Sequence, residues 1–543
     1  MLILVDFLDS LLHGAVLVSL CLTLGSVAWG LWVLRGVPAR IPAVVGARCL
    51  RLLELGAVTL ALGQLFLLVL KAVMLSELLG SGALADFART EYCSAGVARA
   101  ALALGLAVAA RSLRRAPSAA GRWAMAGLIA VALAGSSAWL THATGRLAYR
   151  GPLMVLTVLH QVGAAIWLGG LIQLAAVGRL ARRHAEVDAL WPELVARVSR
   201  LAMVSVGVVV VGAVPLAWTY TGSVQALVGT GYGSLLLTKT ALLATALVLA
   251  AFNLATARCT RQSGPIPALR SRLPQLVEAE AIILVMIVFA ASALSGQPPG
   301  IDLPAKERAT LAEVVEVFRP KLPSLSTPSV ETMRQNRITA AARGERSPDA
   351  YRWSNFSHNV SGMILLGMSL FALAGFATGG GWGRHWPLGF LALAAFVYLR
   401  AASNEGTWPF GATPLGAIDA EGIQHRIAAA LVLGIGLLEW RARTSPDPRG
   451  RLAYVFPVLG AAGGVLLLAH SHAAFQLKSS FLVQVTHTTI GAFAGLMVAG
   501  RWLELGLAPP WNRVAGAAAS ASMLAIALIL VFYREANVVL PPD

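Results

Sequence analysis

The chain is expected to be an all-α membrane protein: a polytopic bundle of about fourteen transmembrane helices. Three observations predict it. Of 543 residues, 57% are hydrophobic and only 13% are charged, a balance outside the range of soluble domains. Apolar runs of about 20 residues recur along the chain, each long enough to cross a bilayer as a helix. The arginines between those runs fall in alternate loops, which is the positive-inside pattern.

Taken in order, the expected spans are 9–34, 50–75, 93–110, 122–141, 154–177, 199–221, 233–256, 276–294, 357–377, 386–402, 424–440, 452–472, 480–500 and 513–532. The first run lacks a basic n-region and a small-residue cleavage site, and Asp6 and Asp9 precede it, so it reads as a retained span and not a cleaved signal. Arg35, Arg40, Arg48 and Arg51 make the first loop cytoplasmic, and every second loop agrees down to Arg501 and Arg513. Both termini are then expected on the outer, periplasmic side. Residues 296–356 form the one long polar insert, opening with Gln297-Pro298-Pro299-Gly300 and containing an amphipathic piece from Ala305 to Phe318. It is expected to be a periplasmic linker between an eight-span domain (1–295) and a six-span domain (357–543).

Several function classes drop out. The net charge of +17 sits in short interspan clusters, so nucleic acid is not an expected partner; the lipid bilayer is. Cys21, Cys49, Cys93 and Cys259 are scattered without a CxxC, which argues against a disulfide framework. A Walker loop, an HExxH motif and a CxxCH motif are all missing. An ATP-driven pump, a zincin and a covalent c-type haem are therefore not expected, and no enzymatic activity is read here.

The histidines carry the positive signal. An imidazole inside a membrane span is costly without a partner or a task. Of ten histidines, eight (His13, His142, His160, His358, His425, His470, His472 and His487) fall in or near the outer halves of their spans. Imidazole is the commonest protein metal ligand and also an axial ligand of haem. His142 and His160 flank a short outer loop on adjacent antiparallel spans, with His13 as a third candidate and Cys93 as a soft one. His358, His425, His470, His472 and His487 form a candidate second cluster. The plainer alternative is a hydrogen-bonded, wet rim.

Other polar or small residues inside spans are also singled out. Trp167, Gly169 and Gly170 follow His160, and the glycines would let a neighbouring backbone approach. Lys239 and Asn253 share one span. Glu54, Glu278, Glu280, Glu439 and Glu504 lie toward the cytoplasmic ends near loop arginines and read first as ion-paired groups. Glu54 or Glu280 would mark the exit of a cation that crosses.

The stretch His160 through Trp167-Leu168-Gly169-Gly170-Leu171, preceded by Leu140-Thr141-His142-Ala143, resembles the membrane domain of the bacterial copper-resistance protein D (CopD) family. The helix 235–258 with Lys239 and Asn253 is similar to that domain's Lys…Asn span. The likeness covers roughly residues 1–295. The second half, with Ser357-His358-Asn359, Gln424-His425-Arg426 and His470-Ser471-His472, resembles the C-terminal extension of long members. The resemblance implies copper (Cu(I) or Cu(II)) handling at the inner membrane: uptake of periplasmic copper, often beside a periplasmic copper carrier. The chain departs in having no fused Met/His-rich carrier domain, so a carrier would be a separate protein. Two alternatives stay open: a haem b electron-transfer or quinol-interacting subunit, and a copper-insertion factor for a membrane oxidase.

Overall fold

The structure, a computed structural model, describes residues 2–35, 37, 41–262, 267–327, 329, 332, 336, 348–400, 420–469 and 478–535. Its regular elements, among the described residues, are all helices. The first half holds α1 (Leu2–Ala28, continued by a wider-wound stretch Trp29–Leu34), α2 (Ala43–Leu79), α3 (Ala83–Ala88), α4 (Glu91–Arg115) and α5 (Ala120–Ser136). It continues with α6 (Arg150–Ala181), α7 (Ala185–Thr221), α8 (Val224–Gly229), α9 (Gly231–Gln262) and α10 (Pro267–Ser295). After α11 (Leu311–Phe318) the second half holds α12 (Pro348–Thr378), α13 (Gly389–Arg400), α14 (Ala420–Thr444), α15 (Val455–Ala469), α16 (Lys478–Gly506) and α17 (Trp511–Val531).

Twelve of these helical segments are long and apolar enough to cross a membrane, and the chain is a multi-pass membrane protein. The other two expected spans correspond to α13, with twelve residues, and α14, whose sequence carries Arg426, Glu439, Arg441 and Arg443. Helix ends follow local chemistry. Thr90 caps α4 by accepting the Cys93 N–H at 3.1 Å, and Arg114 and Arg115 close its last turn against the dipole. Thr310 and Glu313 form a reciprocal capping box at α11.

Helix α1 lies against α2, α6 and α10; α6 pairs with α7, and α9 with α10. In the second half α12 and α16 both pack on α17. The halves meet where α10 touches α15 and α16, and Leu276 and Met286 share one core with Val465, Leu468 and Trp502. The insert joins both: the Ala309 N–H donates to the Gly229 carbonyl, while Val314 and Val317 pack with Phe481 and Val485 of α16.

The two glycines after Trp167 differ in what they do. A Cβ on Gly169 would lie 2.7 Å from the Gly25 Cα of α1, whereas one on Gly170 would meet only Val198 at 4.0 Å. Backbone cannot move aside as a side chain can. Gly169→Ala is therefore expected to destabilise the protein by ~1–3 kcal/mol through overpacking. Gly170→Ala should be neutral or stabilising by up to ~1 kcal/mol, from helix propensity. Thermal unfolding of both variants in detergent checks the opposite signs; equal effects would refute the crossing.

Candidate metal-handling site

The two ends of the bundle carry different chemistry. At the end reached by the starts of α1, α4 and α6 and the finish of α10, His13 and His142 converge on one residue, Ser295. The Ser295 hydroxyl lies 3.2 Å from His13 Nδ1, and the Ser295 backbone acts on the His142 ring. His142 sits on a single short turn, His142–Gly145, after the helical axis of α5 has ended, which frees its ring to reach across to α10. Its Nε2 is buried with no hydrogen-bond partner among the described residues. As a neutral imidazole donates at one nitrogen and accepts at the other, the ring keeps one lone pair. Burial, then the Arg146 guanidinium, holds this ring below the ordinary imidazole value of 6.5, against the opposing Ser295 bond and Asp302. A neutral imidazole with a buried lone pair is what a metal ligand requires.

Charged groups surround the pair. Asp9, Lys71, Arg99 and His142 all act electrostatically on His13. Asp9 and Lys71 neutralise one another at 2.9 Å. Arg99 is 2% exposed and donates to the Ser137 hydroxyl at 2.7 Å and to Gln64 Oε1 at 3.4 Å. Sequence reasoning passed over Arg99 and Ser295. An arginine within a span was a readable signal, whereas a serine at a helix end offers none.

His160 does not join them in any described hydrogen bond or ring contact. It lies deeper on α6, where a Cβ on Gly212 of α7 would sit 2.9 Å from the His160 Cβ. Its Nδ1 is 3.1 Å from the Val209 carbonyl, so Nδ1–H donates and the lone pair again falls on Nε2. Lys239 is its electrostatic neighbour. Cys93 is a partly exposed free thiol at the start of α4. Among the described residues no three His, Cys, Asp or Glu side chains come together as a metal-holding group.

Three residues singled out separately along the chain form one buried triad. Trp167 Nε1 donates to Glu280 Oε1 at 2.8 Å, and Asn253 Nδ2 donates to Oε2 at 2.5 Å. Glu280 is 2% exposed. The expectation of an ion pair at Glu280 is corrected: both of its described partners are neutral, because α9 and α6 present an amide and an indole where an arginine was expected. The ion-pair reading holds at the other four carboxylates. Glu54 meets Arg111 at 2.5 Å and Arg114 at 2.6 Å, and Glu278 meets Arg179 at 2.9 Å. Glu439 and Glu504 share Arg443 and Arg501.

In the second half the structure brings together His358 and His487. Their rings are perpendicular with centroids 5.8 Å apart, and Tyr533 stacks on His358 at 4.1 Å. Each Nδ1 donates to the carbonyl four residues back, His358 to Ser354 at 2.8 Å and His487 to Val483 at 2.9 Å. His470 and His472 lie outside the described residues, as does the side chain of His425.

Comparison with curated proteins gives no match, and comparison with solved structures gives none. The family model described as Copper resistance protein D (CopD) matches residues 192–294, the stretch that holds Gly212, Lys239, Asn253 and Glu280, so this part of the chain is similar to the copper resistance protein D family.

Proposed function

We propose that the protein takes up copper across the bacterial inner membrane, with His13 and His142 as the capture pair at the periplasmic face. The convergence of both rings on Ser295 carries this reading. The His142 ring is held below 6.5 and so neutral near pH 7, and both rings lie at the bundle end that this reading assigns to the periplasmic surface. Neutral imidazoles would replace part of the ion's hydration shell at the surface, lowering the barrier to entry. His160, about 15 Å along α6 from its start at 1.5 Å per residue, is the next station. The Trp167–Glu280–Asn253 triad places a carboxyl group deeper in the bundle without a described cationic partner. The protein acts as a carrier and not an enzyme, and receives copper from a separate periplasmic carrier protein.

A second reading rests on His358 and His487. Their rings are 5.8 Å apart, and paired imidazoles serve haem b iron as well as copper. That would make the second half an electron-transfer unit.

One measurement separates these readings: copper and iron per chain in detergent-purified protein, with its visible spectrum, from pH 8 to pH 5. Copper at one or two per chain, without a Soret band, is expected. Protonation competes with metal for the same lone pair. Since the His142 ring lies below 6.5, occupancy should stay level down to about that pH and fall only beneath it. Stoichiometric iron with a Soret band would overturn the copper reading. Loss of copper already between pH 8 and pH 7 would remove His142 from the site.

A further inference from the structure

A groove of about 670 Å³ runs along the seam between the two halves. Helix α10 contributes Ile282, Val285 and Phe289, and α15 contributes Val458, Ala461 and Val465. These are one-face positions of each helix, so the groove follows both helix axes. Its one charged end is formed by Arg179 and Glu278. From Glu278 to Phe289 is eleven residues of α10, or ~16 Å. That is about half of a ~30 Å hydrocarbon core, one leaflet deep.

The charged end has a surplus of positive charge. Glu278 is bound by Arg179 at 2.9 Å and approached by Arg182 at 4.0 Å, and both arginine side chains are more than half exposed. Glu278, Arg182 and Arg449 all act on the Tyr454 ring, which packs on Trp502 at 4.9 Å. Trp502 lines the groove, is 8% exposed, and its Nε1–H has no acceptor among the described residues. The site therefore offers an apolar trough one leaflet deep and guanidinium groups in excess of the local carboxylate.

We propose that this seam holds one anionic phospholipid of the cytoplasmic leaflet. One acyl chain fills the groove, and the phosphate meets Arg179, Arg182 and Arg449. Basic pockets between membrane helices on the cytoplasmic side suit such headgroups. The leaflet-deep length argues for a lipid chain over a long isoprenoid. The lipid would join the halves across a seam that the protein's own side chains leave unfilled, whatever ion the periplasmic face handles.

The test extracts and quantifies lipid from the detergent-purified full chain and follows its melting temperature after delipidation. About one phosphatidylglycerol per chain is expected to be retained. Adding phosphatidylglycerol should restore the melting temperature, while phosphatidylcholine and ubiquinone should not. Ala461→Phe, which fills the open side of the groove, should lose the retained lipid. The pair Arg182→Gln and Arg449→Gln should abolish the preference for the anionic headgroup. Equal restoration by phosphatidylcholine, retention of ubiquinone in its place, or undiminished lipid in Ala461→Phe would each overturn the proposal. If a variant fails to fold, the wild-type comparison of the three additives decides alone.

Discussion

His142→Ala and His13→Ala are each expected to weaken copper binding by at least ~100-fold, measured by competition against a copper chelator. Loss of groups that only orient a metal ligand already costs ~10–100-fold, and these two substitutions remove the proposed ligands themselves. Because both rings converge on Ser295, the double variant should be little worse than either single one; residues acting as a unit are not additive. Ser295→Ala removes only the hydroxyl near His13, so its effect should fall in the ~10–100-fold range of an orienting group. His160→Ala discriminates among routes. Its ring is held at Val209, away from Ser295, so equilibrium capture should persist while copper flux into vesicles falls. If His160→Ala abolished capture and His142→Ala did not, the capture pair would be wrongly placed.

How much of this was readable in advance depends on whether the signal is one-dimensional. Depth is such a signal: arginine placement fixes which helix end each histidine occupies, and His13 and His142 do sit at one end of the bundle with Ser295. Pairing across helices is not. The sequence sets His142 next to His160 through a short loop, but the turn His142–Gly145 rotates the ring off the α5 axis, and the partner comes from α10, about 150 residues away in the chain. Trp167, Asn253 and Glu280 were each conspicuous as polar groups in apolar helices. Only the packing of α6, α9 and α10 shows that they are one hydrogen-bonded group. Nearby arginines in the sequence group Glu280 with four ion-paired carboxylates, and local charge density does not say which face of a helix a guanidinium reaches. The Gly-Gly pair shows the same limit: spacing marks both residues as small, and the crossing with α1 uses Gly169.

The stability of the second half is expected to depend on a buried charge network at the opposite end. Glu439 is 0% exposed, hydrogen-bonds Arg443 at 2.5 Å and pairs electrostatically with Arg501 at 2.9 Å; Glu504 meets Arg443 at 3.2 Å and Arg501 at 3.0 Å. Two acids and two bases cancel, which is how four charges are tolerated there. Removing one partner leaves a charge uncompensated in a low-dielectric interior, so Glu439→Ala should cost ~3–5 kcal/mol, read as a fall in thermal stability and in folded yield. The more exposed pair Arg197–Glu193, at 2.7 Å, is the same bond in wetter surroundings, and Arg197→Ala should cost under ~1 kcal/mol. The decisive variant is Glu439→Leu with Arg501→Met. It leaves Arg443 facing Glu504 with no net charge, and buried pairs replaced by apolar residues are often neutral or stabilising. The double variant should therefore recover most of what Glu439→Ala loses. A Glu439→Ala chain as stable as wild type would mean that water reaches the four charges. A double variant no better than the single one would mean that the network is held for its geometry and not for its charge balance.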